Sequence, residues 1–288
     1  YGPGGLADLL SRMVAERFNT SWGQPVIVEN RPGANGSIGI SQVVKSAPDG
    51  YTFATVPVAN LAVNPHLNAK LPYDVFTDLA PVSLVASVHN VLVVNAGSSV
   101  TTARELVALA KSKPGARRFS TPGVSSQGHI AAEMFNFQMG LSTLHVPYNS
   151  MGAAIKDVLG GQVDFAFSQM PAALALIQGG KLRALGVASE KRSAFLPEVP
   201  TVAEATGVAQ FEAVSWSALM APAGTPEPIR AAAAAEIQRM LAVPEVRERL
   251  RLLGAEPAGT TPEELAKIMR DESARYGDII RKAKIRVE

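Results

Sequence analysis

The stretch TPGVSSQGHI, residues 121–130, places two hydroxyls, Ser125 and Ser126, shortly before His129, with Glu133 one helical turn further on. A serine beside a histidine can form a nucleophile and its base, and His and Glu four apart on a helix can share a metal ion. Neither arrangement is complete. No G-x-S-x-G elbow surrounds the serines, no carboxylate is placed to orient the imidazole, and His66, His89 and His145 stand at no recognisable ligand spacing. What remains is a small, polar lead-in, Thr121 to His129, with Gly123 and Gly128 in it, running into the helical pattern HIAAEMFNFQM. Such a lead-in offers backbone N–H groups backed by the positive end of a helix dipole, which suits an anion.

A second glycine-rich stretch, NRPGANGSIG (30–39), has the spacing G-x-x-G-x-x-G rather than the dinucleotide fingerprint G-x-G-x-x-G. No acidic residue follows at the distance a ribose needs, so it reads as a tight turn with close helix packing, and no cofactor is expected. Charge points the same way. No Lys or Arg lies between Phe119 and Lys156, and only Lys70 lies between Lys45 and Arg104. A nucleotide phosphate usually recruits a cation. A carboxylate can be held by N–H groups and hydroxyls alone, each contact contributing roughly 1.5–3 kcal/mol when water is excluded.

The elements that must position these loops follow from the pattern. Short β-branched runs at 25–30 (PVIVEN), 51–56, 80–87, 89–97, 142–148, 162–168 and 181–189 read as strands. They alternate with helical stretches, among them 102–112, with Thr101 suited to its N-cap. After VSWSALMAPAGTP the chain turns all helical, over 227–242, 244–253 and 262–283. The alternation predicts an α/β fold with a largely parallel sheet covered on both faces, and ligands beyond the C-terminal ends of its strands. Three loops of the right composition stand there: residues 1–5, 55–60 (TVPVAN) and 121–129. The opening YGPGGLADLL enters a helix directly from a turn, so a strand is expected upstream of it.

Composition bounds the function. At 288 residues and 47% hydrophobic, the chain suits two domains. A net charge of +2, from 27 basic and 25 acidic residues without a basic block, argues against nucleic acid. No apolar run reaches the ~18 residues of a membrane span. Without cysteine there are no disulfides, thiolate nucleophiles or Cys-type zinc sites.

Many motifs occur in one order: YGPGGLADLL, GQPVIVENRPGANGSIG, APDGYT, NPHL, LPYDVFTDLAPVSLVA, HVPYNSMGAAIKDVLGGQVDFAFSQMPAAL, GKLRALGVASEKRSAFLPEVPTVAEA and SALMAPAGTP. Together they resemble the receptors of the tripartite tricarboxylate transporter family, the Bug-type solute-binding proteins, from residue 1 to the C-terminal helix. The resemblance implies a type II periplasmic binding protein fold. Its two lobes would be joined by crossing strands at HNVLVVNAG and VSWSALMAP, with residues 1–97 and 222–288 in one and 98–221 in the other. It implies no catalysis, but a monomeric receptor in the periplasm that closes over a small carboxylate and delivers it to membrane permease subunits or a sensor.

Carried over by position, Tyr1, Gly2, Pro3, Gly4 and Gly5 match the first carboxylate loop, and Thr55, Val56, Pro57 and Asn60 a neighbouring loop. Thr121, Gly123, Ser125, Ser126, Gln127, Gly128 and His129 match the loop of the other lobe that takes the second carboxylate, with Ser125, Ser126 and the N–H groups near Gln127 as donors. Tyr148, Ser168 and Gln169 match pocket-wall positions. Similar proteins often carry Asp where this chain has Ser168 and Asn where it has Gln169. Without that Asp an ammonium would be buried unpaired, so the expected ligand is a dicarboxylate, hydroxy acid or aromatic acid rather than an amino acid. Two other readings stay open at this stage: an enzyme using His129 or Tyr148 as acid or base, and a regulatory effector-binding domain.

Overall fold

The computed structural model describes residues 2, 3 and 5–285. In chain order the elements are α1 (Leu6–Trp22), α2 (Ser37–Val44), β1 (Ala54–Pro57), α3 (Asn64–Leu67), β2 (Leu79–Val88), β3 (Asn90–Asn95), α4 (Ala103–Ser112) and β4 (Arg118–Thr121). Then come α5 (Gln127–Met139), β5 (Leu144–Pro147), α6 (Met151–Leu159), β6 (Phe165–Gln169), α7 (Met170–Gln178), β7 (Leu182–Val187), α8 (Val202–Thr206) and β8 (Ser215–Pro222). The chain ends on α9 (Glu227–Ala242), α10 (Pro244–Leu252), β9 (Glu256–Pro257) and α11 (Pro262–Ala283).

Two compact units result. The first comprises the residues up to Ser87, Trp216–Leu252 and Glu256–Asp278. The second comprises Val88–Ser215, Leu253–Ala255 and the residues from Ile279. In the first unit the sheet order is β1-β8-β2-β9, with β1 antiparallel to β8 and β2 antiparallel to β9. Helix α1 buries Leu10, Met13, Val14 and Phe18, one stripe at helical spacing, and ends on Gly23 in the left-handed conformation at φ 64°.

In the second unit the order is β5-β4-β6-β3-β7. Strands β5, β4 and β6 run parallel, whereas β3 is antiparallel to both β6 and β7. The single, largely parallel sheet read from the sequence is therefore corrected to two sheets, of which the second is mixed and the first has antiparallel pairs at both of its edges. Crossover helices enforce parallel neighbours only between the strands they join, and β3 follows β2 directly and is joined to neither of its sheet neighbours by one helix. The core of this unit is aromatic. Phe119, Phe135, Phe165, Phe167 and Phe211 are all buried, with Phe167 and Phe211 stacked at 5.6 Å and Phe135 edge-on to Phe167 at 5.7 Å.

Three further local expectations are corrected. Residues 25–30 form no strand: they run extended without a ladder partner. The cap of α4 is Thr102, not Thr101. Thr102 accepts from Glu105 N–H at 3.1 Å in a reciprocal capping box, while the Thr101 hydroxyl donates to the Glu105 carboxylate at 2.8 Å. The strand read over 51–56 starts only at Ala54, because β8 pairs with residues 54–57 alone.

Candidate functional site

In the second unit, β4 ends at Thr121 and the next six residues fold back on it. The Thr121 hydroxyl accepts from the Gly123 N–H at 3.2 Å and lies 2.7 Å from His145 Nε2 on β5. Gly123 sits at φ 128°, a conformation only glycine takes readily. Ser125 is held at φ 65° without being glycine, a departure of the kind that concentrates at ligand loops. Its N–H points to His129 Nδ1 at 3.4 Å. The Ser126 hydroxyl donates to the Gly123 carbonyl at 2.7 Å and accepts from the His129 N–H at 3.3 Å, so it is the N-cap of α5.

Gly128 fixes where that helix begins. A Cβ there would stand 2.5 Å from the Phe167 carbonyl oxygen on β6, so only glycine lets the first turn of α5 lie this close to the strand. The neighbouring residue on β6 is Ser168, fully buried, whose hydroxyl donates to the Gln169 carbonyl at 3.2 Å. The Gln169 amide donates to Ser215 Oγ at 3.0 Å. The fold thus brings Thr121, Gly123, Ser125–His129 and Ser168 around one helix start. Tyr148 joins them by its backbone, its N–H donating to the Thr121 carbonyl at 2.9 Å. Its hydroxyl faces α6 instead, donating to Asp157 at 2.5 Å, and that bond pushes the phenol up to about 12.

Behind the loop lies a stacked column. The His129 and His145 rings are 4.3 Å apart, and Phe119 stacks on His145 at 4.9 Å. Desolvation, then the neighbouring His145, pushes His129 down to about 4, and desolvation also lowers His145 and raises Glu133. His129 is therefore a neutral acceptor near pH 7. It receives a backbone N–H from Ser125, and both Ser126 hydroxyl contacts are with backbone groups, so neither serine hydroxyl is bonded to the imidazole as a nucleophile would be. Among the described residues no group of three or more metal-binding side chains occurs.

In the first unit, Tyr1 and Gly4 lie outside the described residues. Gly2, Pro3 and Gly5 are exposed, and Gly5 is the N-cap of α1 without a side-chain bond. Thr55 Oγ1 accepts from Ser11 Oγ at 2.8 Å, which ties the end of β1 to α1. Val56 is buried and Pro57 half-buried. Asn60 is fully buried in a π-type turn, Ala59–Val63, and donates to the Asn35 carbonyl at 2.8 Å. Near the start of α1, Asp8 pairs with Arg12 at 3.0 Å, and Asn30 also donates to Asp8 at 2.9 Å. Sequence reading missed Ser11, His145 and Ser215, each the partner of a residue it named. Ser11 sits one turn beyond the glycine loop on a helix already recognised, a usable signal; His145 and Ser215 carried none.

Residues 10–285 match the profile of the tripartite tricarboxylate transporter family receptors. The chain is 39% identical over 282 residues to Protein BugT of Bordetella pertussis, covering 98% of this chain and 86% of that one. Among solved structures it is similar to R. palustris Rpa4515 with adipate, at TM-score 0.89 and 32% identity over 99% of this chain and 95% of that one. It is also similar to MatC from Rhodopseudomonas palustris with bound malate, at TM-score 0.85 and 29% identity over 97% and 96%. This chain belongs to the tripartite tricarboxylate transporter receptor family, whose members are solute-binding receptors and not enzymes.

Proposed function

We propose that the protein is a periplasmic receptor that captures a small di- or hydroxycarboxylate, or an aromatic acid, and hands it to the permease of a tripartite tricarboxylate-type transporter. The observation that carries the reading is the start of α5. A capped helix N-terminus, pressed onto β6 through Gly128 and entered through the strained Ser125, lies in a stretch without any Lys or Arg from Phe119 to Lys156. That arrangement suits an acid group received by peptide N–H donors rather than by a cation. The adipate and malate of the two similar structures support the ligand class.

In this reading one carboxylate meets the α5 start, with Ser168 near it, and the loops of the first unit, residues 1–5 and 55–60, take the other end. A ligand that touches both loops favours the closed state by its contacts to the second one. The neutral Ser168 leaves an ammonium without a partner and selects against amino acids. The protein acts as a monomer. The test is calorimetry on refolded, ligand-stripped protein with adipate, malate, succinate, benzoate and glutamate. A dicarboxylate, hydroxy acid or aromatic acid binds at least tenfold more tightly than glutamate, a difference of about 1.4 kcal/mol. Glutamate binding as tightly, or heatless titration with all five, overturns the reading.

A further inference from the structure

Two imidazoles stand behind the loop that opens α5, and both belong to the second unit. His145 lies on β5, an edge strand, where the register sets it opposite Phe119. Side chains alternate along a strand, so His145 shares a face with Phe119 and with Thr121 two residues on. Phe119 stacks on its ring at 4.9 Å and the His129 ring lies 4.3 Å away, so two rings fix its orientation. Its Nε2 then meets the fully buried Thr121 hydroxyl at 2.7 Å, closer than that hydroxyl's contacts with the Gly123 carbonyl at 3.1 Å and N–H at 3.2 Å. Thr121 has one hydroxyl proton, and the imidazole decides where it points. With Nε2 bare, the proton goes to the ring and the oxygen keeps a lone pair for the Gly123 N–H. With a proton on Nε2, the ring donates and the hydroxyl proton turns to the Gly123 carbonyl. In both tautomers the Gly123 residue, at φ 128°, is tied to Thr121. Its carbonyl accepts from the Ser126 hydroxyl at 2.7 Å, and Ser126 caps α5. One chain of contacts thus runs from β5 through Thr121 and Gly123 to the helix cap.

We propose that His145 is a positioning residue of the acid-binding loop: through the Thr121 hydroxyl it holds Gly123 and the start of α5 in the shape that presents N–H groups to the solute. The inference rests on the reading of the α5 start as the acid-binding end, and it gives a role to a side chain whose Nε2 is spent on Thr121 rather than on the solute. The loop needs such support. A non-glycine residue at φ 65°, as Ser125 is, persists only where its surroundings over-determine it. Here the support comes from both imidazoles, since His129 Nδ1 accepts the Ser125 N–H at 3.4 Å while His145 holds Thr121. Desolvation lowers both rings, so both are neutral near pH 7 and hold the loop without adding charge to it. Donors fixed before the solute arrives lose less freedom on binding, so loosening them weakens affinity without removing any contact to the acid.

The test compares the natural protein with Thr121→Val, His145→Phe, the double variant and His145→Gln. Amide hydrogen exchange at Gly123 is followed without any acid present, affinity by calorimetry with adipate, malate and benzoate, and folding by thermal melting. Valine keeps the shape of threonine and phenylalanine keeps the packing against Phe119, so both changes remove the contact and leave the core filled. Thr121→Val and His145→Phe each speed exchange at Gly123 by about fivefold or more and lower affinity by a similar factor. The double variant is no worse than Thr121→Val alone, because both changes break one contact. His145→Gln, whose amide reaches toward the Thr121 hydroxyl, brings both quantities back to within about threefold of the natural protein. Losses that multiply in the double variant overturn the inference. So does a His145→Phe protein that exchanges at Gly123 as slowly as the natural one, or binds as tightly, and so does a His145→Gln protein no better than His145→Phe. Coupled exchange in a natural protein that gives no heat with any of the three acids overturns the receptor reading alone, and the loop's dependence on His145 stands.

Discussion

Lowering the pH from 7.5 to 5 should cost this protein stability through one ring, His129. The imidazole is 5% exposed, tilted against the His145 ring at 4.3 Å, and held near 4 by desolvation and by that neighbour. In the unfolded chain the same ring titrates near 6.5. The unfolded state then binds the proton that the native state refuses, so stability is fully present above about pH 6.5 and falls until about pH 4. Over that whole range the loss amounts to about 3 kcal/mol, of which about 2 is reached by pH 5. His145, also lowered by desolvation, adds to the loss. Glu133, raised by desolvation, acts with the opposite sign, because its native carboxyl takes up a proton more readily as the pH falls. The assay is urea unfolding at pH 7.5 and 5, on the natural protein and on His129→Asn. Asn can still accept the Ser125 N–H but does not titrate. The variant should lose about 2 kcal/mol less over the interval. An equal loss in both proteins refutes the assignment of His129 as a buried neutral acceptor.

Gly128→Ala puts a methyl 2.5 Å from the Phe167 carbonyl, a backbone atom that cannot swing aside, so the start of α5 must back away. Loss of one anion contact of roughly 1.5–3 kcal/mol lowers affinity for the bound acid about 10- to 150-fold in calorimetry; unchanged affinity removes the α5 start from the site. Ser168→Asp, at a fully buried position, should shift preference toward glutamate or aspartate and weaken dicarboxylate binding by about tenfold or more, read by competition calorimetry. Ser126→Ala removes the α5 cap as well as a site residue, so melting should show a loss of about 1 kcal/mol alongside any loss of affinity.

What the sequence disclosed, and what it hid, divides by the range of the forces involved. The closing helices, read over 227–242, 244–253 and 262–283, appear as Glu227–Ala242, Pro244–Leu252 and Pro262–Ala283, since helical period and proline starts are local signals. Strand β4 escaped notice because it is four residues long and begins on the exposed Arg118. Helix α7 was hidden by having almost no polar face, although Pro171 near its start and the glycine pair after Gln178 marked both ends. Residues 25–30 show the converse: β-branched composition favours a strand, but a strand exists only with a partner. At the candidate site, the residue types and their glycine spacing were readable. The commitment of the Ser126 hydroxyl to Gly123 and of the Tyr148 hydroxyl to Asp157 was not, because each depends on a turn or a helix face that only the folded chain defines.

The absence of Lys and Arg from Phe119 to Lys156 has a consequence for the conditions under which such a receptor works. Attraction between distant full charges fades within about 8–10 Å at physiological ionic strength, whereas donors touching an oxyanion act inside that distance. A grip made of peptide groups therefore varies little as the surrounding salt rises or falls, and its occupancy tracks the concentration of the solute instead of the ionic strength of the medium.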